Sequence, residues 1–123
     1  MIKPEEYMSS PVITATPDTS LDVLASTMDK EEIGCLVIVE DDAVAGIVTE
    51  RDILKKVLAH HKNPQTIRAK DIMTKEVFTV QSDATLMEVA ALMKQHTFRR
   101  IIVMEDNKPK GVITSRDLIG LLV

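Results

Sequence analysis

What most constrains this chain is that it is written twice. Gly46-Ile47-Val48-Thr49-Glu50-Arg51-Asp52 recurs as Gly111-Val112-Ile113-Thr114-Ser115-Arg116-Asp117. The same displacement of 65 positions relates Met8 to Met73, Val12 to Val77, Thr14 to Thr79, Asp18 to Asp83, Leu21 to Leu86, Met28 to Met93 and Glu40 to Glu105. No gap is needed between Met8 and Leu58, or between Met73 and Val123. A tandem duplication means that one supersecondary unit is repeated and that neither copy must bury its apolar surface alone.

Within a copy, the apolar period gives the order of elements. Val12-Ile13-Thr14 is a short β-branched strand, and Thr16 to Ser20 turns the chain and offers a hydroxyl cap. Leu21, Leu24, Ala25 and Met28 then lie on one stripe and predict a helix ending near Glu31. The continuous run Ile33 to Val39 predicts a strand covered on both faces. Glu40-Asp41-Asp42 makes a polar hairpin turn, Val44 to Thr49 the return strand, and Glu50 to about Ala59 a second helix. The second copy replays this with a strand at Val77 to Val80 and a helix carrying Leu86, Val89, Ala90 and Met93. Thr85 caps that helix, and Glu88 completes a capping-box spacing. Ile101 to Met104 and Gly111 to Thr114 are its hairpin strands, and Ser115 to Leu122 its last helix.

Each copy is therefore strand–helix–strand–strand–helix. Three strands and two helices in so short a stretch leave one sheet face poorly covered, and packing the copies together about a pseudo-two-fold axis removes that exposure. The predicted fold is α+β: repeat 1 with its lead-in over 1–61, a polar linker over 62–68, and repeat 2 over 69–123.

The totals exclude several classes of function. A formal net charge of −4 and a pI near 5.3 argue against a nucleic-acid partner, which needs a basic face. Tyr7, Phe78 and Phe98 are the only aromatics, so there is no stacking platform for single strands. The longest apolar run is too short to span a bilayer, so no membrane partner is expected. Met1 to Glu6 lacks the apolar core of a signal peptide. The one cysteine, Cys35, excludes an intrachain disulfide and fits a reducing compartment, so the expected location is the cytoplasm. His60, His61 and His96 do not converge on a metal site by spacing. No P-loop, nucleophile elbow or Rossmann glycine fingerprint appears, and catalysis is not expected.

The doubled unit resembles a tandem pair of cystathionine-β-synthase (CBS) domains. The marks are Met-Ser-Ser-Pro-Val at 8–12 with Met-Thr-Lys-Glu-Val at 73–77, and Gly-Ile-Val-Thr-Glu-Arg-Asp-Ile at 46–53 with Gly-Val-Ile-Thr-Ser-Arg-Asp-Leu at 111–118. The resemblance covers residues 5 to 123. It implies a module that binds adenosine-containing ligands in clefts between its repeats, pairs into a homodimer and regulates another protein.

The candidate site residues follow. Thr49 with Asp52, and Thr114 with Asp117, stand at predicted helix starts; an ionised Asp there accepts hydrogen bonds from vicinal ribose hydroxyls, the use the family makes of the motif. The same spacing is also a capping box, which stabilises a helix start by roughly 1 kcal/mol, and a cap does not exclude ligand contact. Arg99, Arg100, Arg51 and Arg116 are the phosphate candidates, because a guanidinium pairs two oxygens at once. Gly34 and Cys35 hold the places in repeat 1 that Arg99 and Arg100 hold in repeat 2, so the two pockets are expected to be unequal. On the resemblance, the Asp52 pocket would receive Arg99, Arg100 and Arg116, leaving the Asp117 pocket weaker for phosphate. Family position also makes Val12, Val77, Ile33 and Phe98 candidates to flank an adenine ring.

The expected function is a non-catalytic sensor of AMP, ADP or ATP, with no required cofactor, signalling to an unidentified protein. The rivals are a module selective for S-adenosylmethionine or NAD(H), a structural dimerisation or docking module with degenerate pockets, and a small enzyme acting on nucleotides.

Overall fold

The computed structural model of the chain describes residues 2–96 and 100–121 and divides into two compact units. One unit is Ile13–Glu76; the other joins Met1–Val12 to Val77–Val123. The lead-in of each repeat thus belongs to the compact unit built on the other repeat's sheet.

The unit of residues 13–76 holds β1 (Thr14–Ala15), α1 (Leu21–Glu31), β2 (Cys35–Glu40), β3 (Ala43–Thr49), α2 (Glu50–Lys56) and α3 (Ala69–Ile72). Its sheet has the order β1-β2-β3, parallel between β1 and β2 and antiparallel between β2 and β3. Parallel neighbours need a crossover, and α1 supplies it. Ser20 caps α1 by accepting from the Val23 amide at 3.3 Å. At its other end Glu32 takes a left-handed conformation (φ 54°), with Ile33 N donating to Met28 O and Glu32 N to Asp29 O, a Schellman closure. Leu21, Leu24 and Met28 are buried against Leu36, Ile38 and Val48, whereas Ala25 is exposed. Leu36, Val37 and Ile38 are all buried, as a strand covered on both faces requires.

The second unit repeats the plan with β4 (Thr79–Gln81), α4 (Leu86–His96), β5 (Arg100–Glu105), β6 (Lys108–Thr114) and α5 (Ser115–Gly120), in the order β4-β5-β6. Its core is Tyr7, Val80, Ala84, Val89, Met93, Ile101, Val103 and Ile113. Both hairpins close through two residues with positive φ, Asp41 and Asp42 in one and Asp106 and Asn107 in the other. These are the side chains that tolerate the left-handed region best after glycine, and the paired positive φ values fit the twist of the flanking strands.

Two stretches differ from the sequence expectation. The helix expected to reach Ala59 ends at Lys56, because Val57 is wholly buried and the chain turns inward to place it. A 3-10 turn over Leu58–His60 follows, and a second Schellman closure runs from Lys62 N to Val57 O with His61 at φ 55°. The short helix α3 has no counterpart in the expected element order. Four residues carry too little periodicity to be read, yet Ile67, Ala69 and Ile72 are buried in the core of the first unit. The Leu21 amide donates to Ile67 O at 3.0 Å, and the Ala69 amide to Thr19 O at 2.9 Å.

The lead-ins join their sheets by the same two-bond exchange. Ser9 N donates to Val112 O at 2.9 Å and Val112 N to Ser9 O at 3.1 Å; Thr74 N donates to Ile47 O at 2.8 Å and Ile47 N to Thr74 O at 3.0 Å. Beside each exchange lies a glycine. A Cβ on Gly46 would stand 2.6 Å from Thr74 O, and one on Gly111 would collide with the Met8 thioether and stand 2.9 Å from Ser9 O. The repeated glycine is where a second backbone pairs with the edge of the sheet.

Two stability measurements check this account. Gly46→Ala forces a Cβ onto a backbone carbonyl and is expected to destabilise by about 1–3 kcal/mol in urea unfolding, the usual range for overpacking. Gly120→Ala, with nothing within 4 Å of the new carbon, is the control and leaves stability unchanged or slightly raised. The Tyr7 hydroxyl is buried and has no hydrogen-bond partner among the described residues, so Tyr7→Phe is expected to raise stability by about 1 kcal/mol. Burial also pushes the Tyr7 phenol above its ordinary pKa. The folded state therefore favours the neutral form; its stability is intact below about pH 10 and falls above it, as the unfolded chain ionises first. That alkaline loss should be smaller in Tyr7→Phe.

Candidate functional site

The two Thr-x-x-Asp segments end β3 and β6 and begin α2 and α5. Thr49 and Thr114 have extended backbones (φ −116° and −110°), and each side chain accepts from the amide of the Asp three residues on. Each Asp returns the bond, Oδ2 accepting from Thr49 N at 2.9 Å in one copy and from Thr114 N at 2.8 Å in the other. Both segments are true capping boxes, and the caps fix where each carboxylate points.

Beyond the cap the copies part. Asp52 is buried, and its carboxylate is ringed by donors. Oδ2 also accepts from Thr49 Oγ1 at 3.1 Å. Oδ1 accepts from Thr74 Oγ1 at 3.1 Å and pairs with Lys56 Nζ at 3.0 Å. Lys56 is held in turn by Ile72 O at 2.7 Å and Thr74 Oγ1 at 3.4 Å. Four donors on two oxygens fill the acceptor capacity of an ionised carboxylate. Asp117 is half-buried, and among the described residues its carboxylate accepts one hydrogen bond, the one from Thr114 N. The repeat positions of Lys56 and Thr74 are filled there by Leu121 and Ser9.

The cationic candidates are spread more widely. Arg51 and Arg116 are exposed on the first turns of α2 and α5. Arg100 begins β5 directly across the strand pair from Thr114, the place Cys35 takes opposite Thr49. Cross-strand neighbours stand about 5 Å apart at Cβ, so Arg100 is adjacent to the Asp117 helix start within one unit. Phe98 and Arg99 lie outside the described residues. Val12 and Val77 are half-buried in the lead-ins, and Ile33 is half-buried just before β2.

Ile33 and Gly34 edge an open hollow of about 500 Å³ whose other walls include Ala25, Ile53, Asp29, Glu32 and Glu50. Three carboxylates on one rim make it acidic. The Glu50 carboxylate also lies over Gly34, where an added Cβ would meet its Oε1 at 2.5 Å. In repeat 2 the positions of Asp29, Glu32, Gly34 and Glu50 carry Lys94, Thr97, Arg99 and Ser115. In sequence the second copy thus exchanges an acidic rim for cationic and neutral residues.

Two residues that sequence reasoning passed over turn out to hold Asp52. Lys56 was legible in principle, because four residues on from an Asp is the spacing of a helical ion pair. Thr74 was not, since nothing local links it to a carboxylate 22 positions away. Among the described residues no group of three or more His, Cys, Asp or Glu side chains could hold a metal ion. No helix among them is long and apolar enough to cross a membrane.

Comparison with known proteins places this geometry in a family. The CBS-domain family model matches twice, over residues 5–59 and 69–123. An uncharacterised protein of Methanopyrus kandleri is 39% identical over 110 residues, covering 88% of this chain and 56% of its own length, so the chain spans little more than half of that relative. A putative signal-transduction protein with CBS domains from Burkholderia ambifaria superposes with a TM-score of 0.80 at 31% identity, over 98% of this chain and 88% of the other. A hexameric CBS-CP12 protein from bloom-forming cyanobacteria superposes with a TM-score of 0.84 at 29% identity, over 97% and 70%. The doubled β-α-β-β-α plan, the capping-box carboxylate in each copy and these matches lead to one conclusion: the chain belongs to the CBS-domain family and carries a tandem pair of its domains.

Proposed function

We infer that this chain is a regulatory module that binds an adenosine nucleotide, AMP, ADP or ATP, and passes the bound state to another protein. The observation that carries the reading is the Thr-x-x-Asp helix start, fixed in both copies by the same reciprocal cap and present in a family whose members generally bind adenosyl ligands. At Asp117 a half-buried carboxylate with acceptor capacity to spare among the described residues suits a vicinal diol, and Arg100, across the strand pair from Thr114, suits a phosphate. We assign the module no catalytic step and no required cofactor. Cys35 as the single cysteine fits a reducing compartment, and we place the module in the cytoplasm.

The module is proposed to act as a homodimer. Leu54 on α2 and Ile119 on α5 hold the same repeat position and are 59% and 60% exposed, so each copy presents a large apolar side chain at the same place for a second chain to cover. The related CBS-CP12 protein is hexameric by its own description, so self-association has precedent in this fold. A second reading, a docking module without a ligand, draws on the Asp52 site, where the carboxylate is wholly engaged by its own chain.

A thermal-shift panel with AMP, ADP, ATP, S-adenosylmethionine and NADH separates the readings. A ligand at a hundredfold its Kd stabilises the folded state by about 2.7 kcal/mol, which a melting curve resolves easily. The adenosine nucleotides are expected to raise Tm; a melting temperature indifferent to all five at millimolar concentration rejects nucleotide sensing and leaves the docking reading. Light scattering during gel filtration is expected to give twice the 13.7 kDa chain mass, and a monomer at high micromolar concentration would end the dimer proposal.

A further inference from the structure

We propose that the two Thr-x-x-Asp sites are not equivalent receptors. Lys56 and Thr74 latch Asp52 shut, and a single nucleotide binds per chain, at Asp117. This deepens the nucleotide reading above and rests on it. The first argument is acceptor capacity. A ribose diol binds a carboxylate by donating two hydrogen bonds, and an ionised carboxylate offers about four acceptor positions. At Asp52 all are spoken for, by Thr49 N, Thr49 Oγ1, Thr74 Oγ1 and Lys56 Nζ, at distances between 2.9 and 3.1 Å. A diol could enter only by displacing an ammonium group or a buried hydroxyl. Lys56, although its side chain is 42% exposed, is tied a second time, donating to Ile72 O at 2.7 Å. At Asp117 the cap uses one position, and the residues that would complete a latch are Leu121 and Ser9, neither of which can supply a cation.

Charge is an independent argument. The hollow beside α2, whose lining does not include Asp52 itself, is rimmed by Asp29, Glu32 and Glu50, so the surface near that helix start is acidic and a poor neighbour for a phosphate. Repeat 2 replaces these with Lys94, Thr97 and Ser115 and adds Arg99 and Arg100 in sequence. Arg100 stands across from Thr114, whereas Cys35 stands across from Thr49. Diol acceptor and phosphate partner therefore coincide in the second copy and are both withheld in the first. This reverses the ranking of pockets that the family resemblance alone implied. Lys56 acts through Asp52 and is a positioning residue; it closes a site rather than contacting the ligand.

Calorimetric titration of the full chain with AMP tests the proposal, reading stoichiometry as well as affinity. One AMP per chain is expected, and Asp117→Asn, which keeps the side-chain shape, should weaken binding at least tenfold. The decisive variant installs the latch in the second copy: Ser9→Thr with Leu121→Lys. If the latch works, this variant binds AMP at least tenfold more weakly although it gains a positive charge. Simple electrostatics predicts the opposite sign. Both positions are exposed, and circular dichroism confirms that the variant is folded; should it not fold, stoichiometry and Asp117→Asn still decide. Two AMP per chain, binding indifferent to Asp117→Asn, or tighter binding by the latched variant would each overturn the proposal and leave nucleotide sensing intact. Absence of AMP binding to the unaltered chain, with the other adenosine ligands equally inert, would instead overturn the functional reading and this inference with it.

Discussion

The structure depends on a pair of backbone exchanges, Ser9 with Val112 and Thr74 with Ile47, each laid beside a glycine. A lead-in backbone that approaches the edge strand this closely needs a position without a Cβ, and Gly46 and Gly111 provide it. The exchange also satisfies backbone groups that the edges of β3 and β6 would otherwise leave open. Because each lead-in is tied to the sheet of the other repeat, neither half of the sequence corresponds to a compact body by itself.

The candidate site inherits its geometry from that exchange. Thr74 reaches Asp52 only because its backbone is pinned to Ile47, two residues before the cap residue Thr49. Ile72 O, which holds Lys56, is on the same short segment. The polar network at Asp52 is thus a by-product of how the lead-in is anchored, and every lone pair that the anchoring consumes is one no ligand receives. Ser9 occupies the corresponding place in the second unit, and among the described residues the carboxylate there accepts the cap bond alone. A duplicated fold can diverge in this way without altering its cap or its strands, by changing the side chains that meet the carboxylate, Lys56 to Leu121 above all.

Much of the fold was legible because its signals are local and were stated twice. The α1 stripe of Leu21, Leu24 and Met28, a hydroxyl cap within Thr16 to Ser20 and a hairpin turn at Glu40-Asp41-Asp42 all follow from residue type and spacing without tertiary help; the structure narrows the cap to Ser20 and the turn to Asp41 and Asp42. Where the reading fell short, the cause was tertiary. Ala25 matches the apolar stripe but is exposed, since the helix buries a narrower face than its periodicity allows. The second helix ends early because a buried Val57 overrides local helix propensity. The polar stretch after His60, expected as a linker, leads into Ile67, whose burial no composition count signals.

By itself the sequence determined the repeat, the order of elements, the two capping boxes and the charge difference between the copies, because each of these is fixed by residue type and spacing along the chain. Only the tertiary structure decided which carboxylate is engaged and which retains acceptor capacity. That outcome depends on donors 4 and 22 residues away from Asp52 converging on it, and hydrogen-bond saturation is a property of distances in space, which spacing in sequence does not encode.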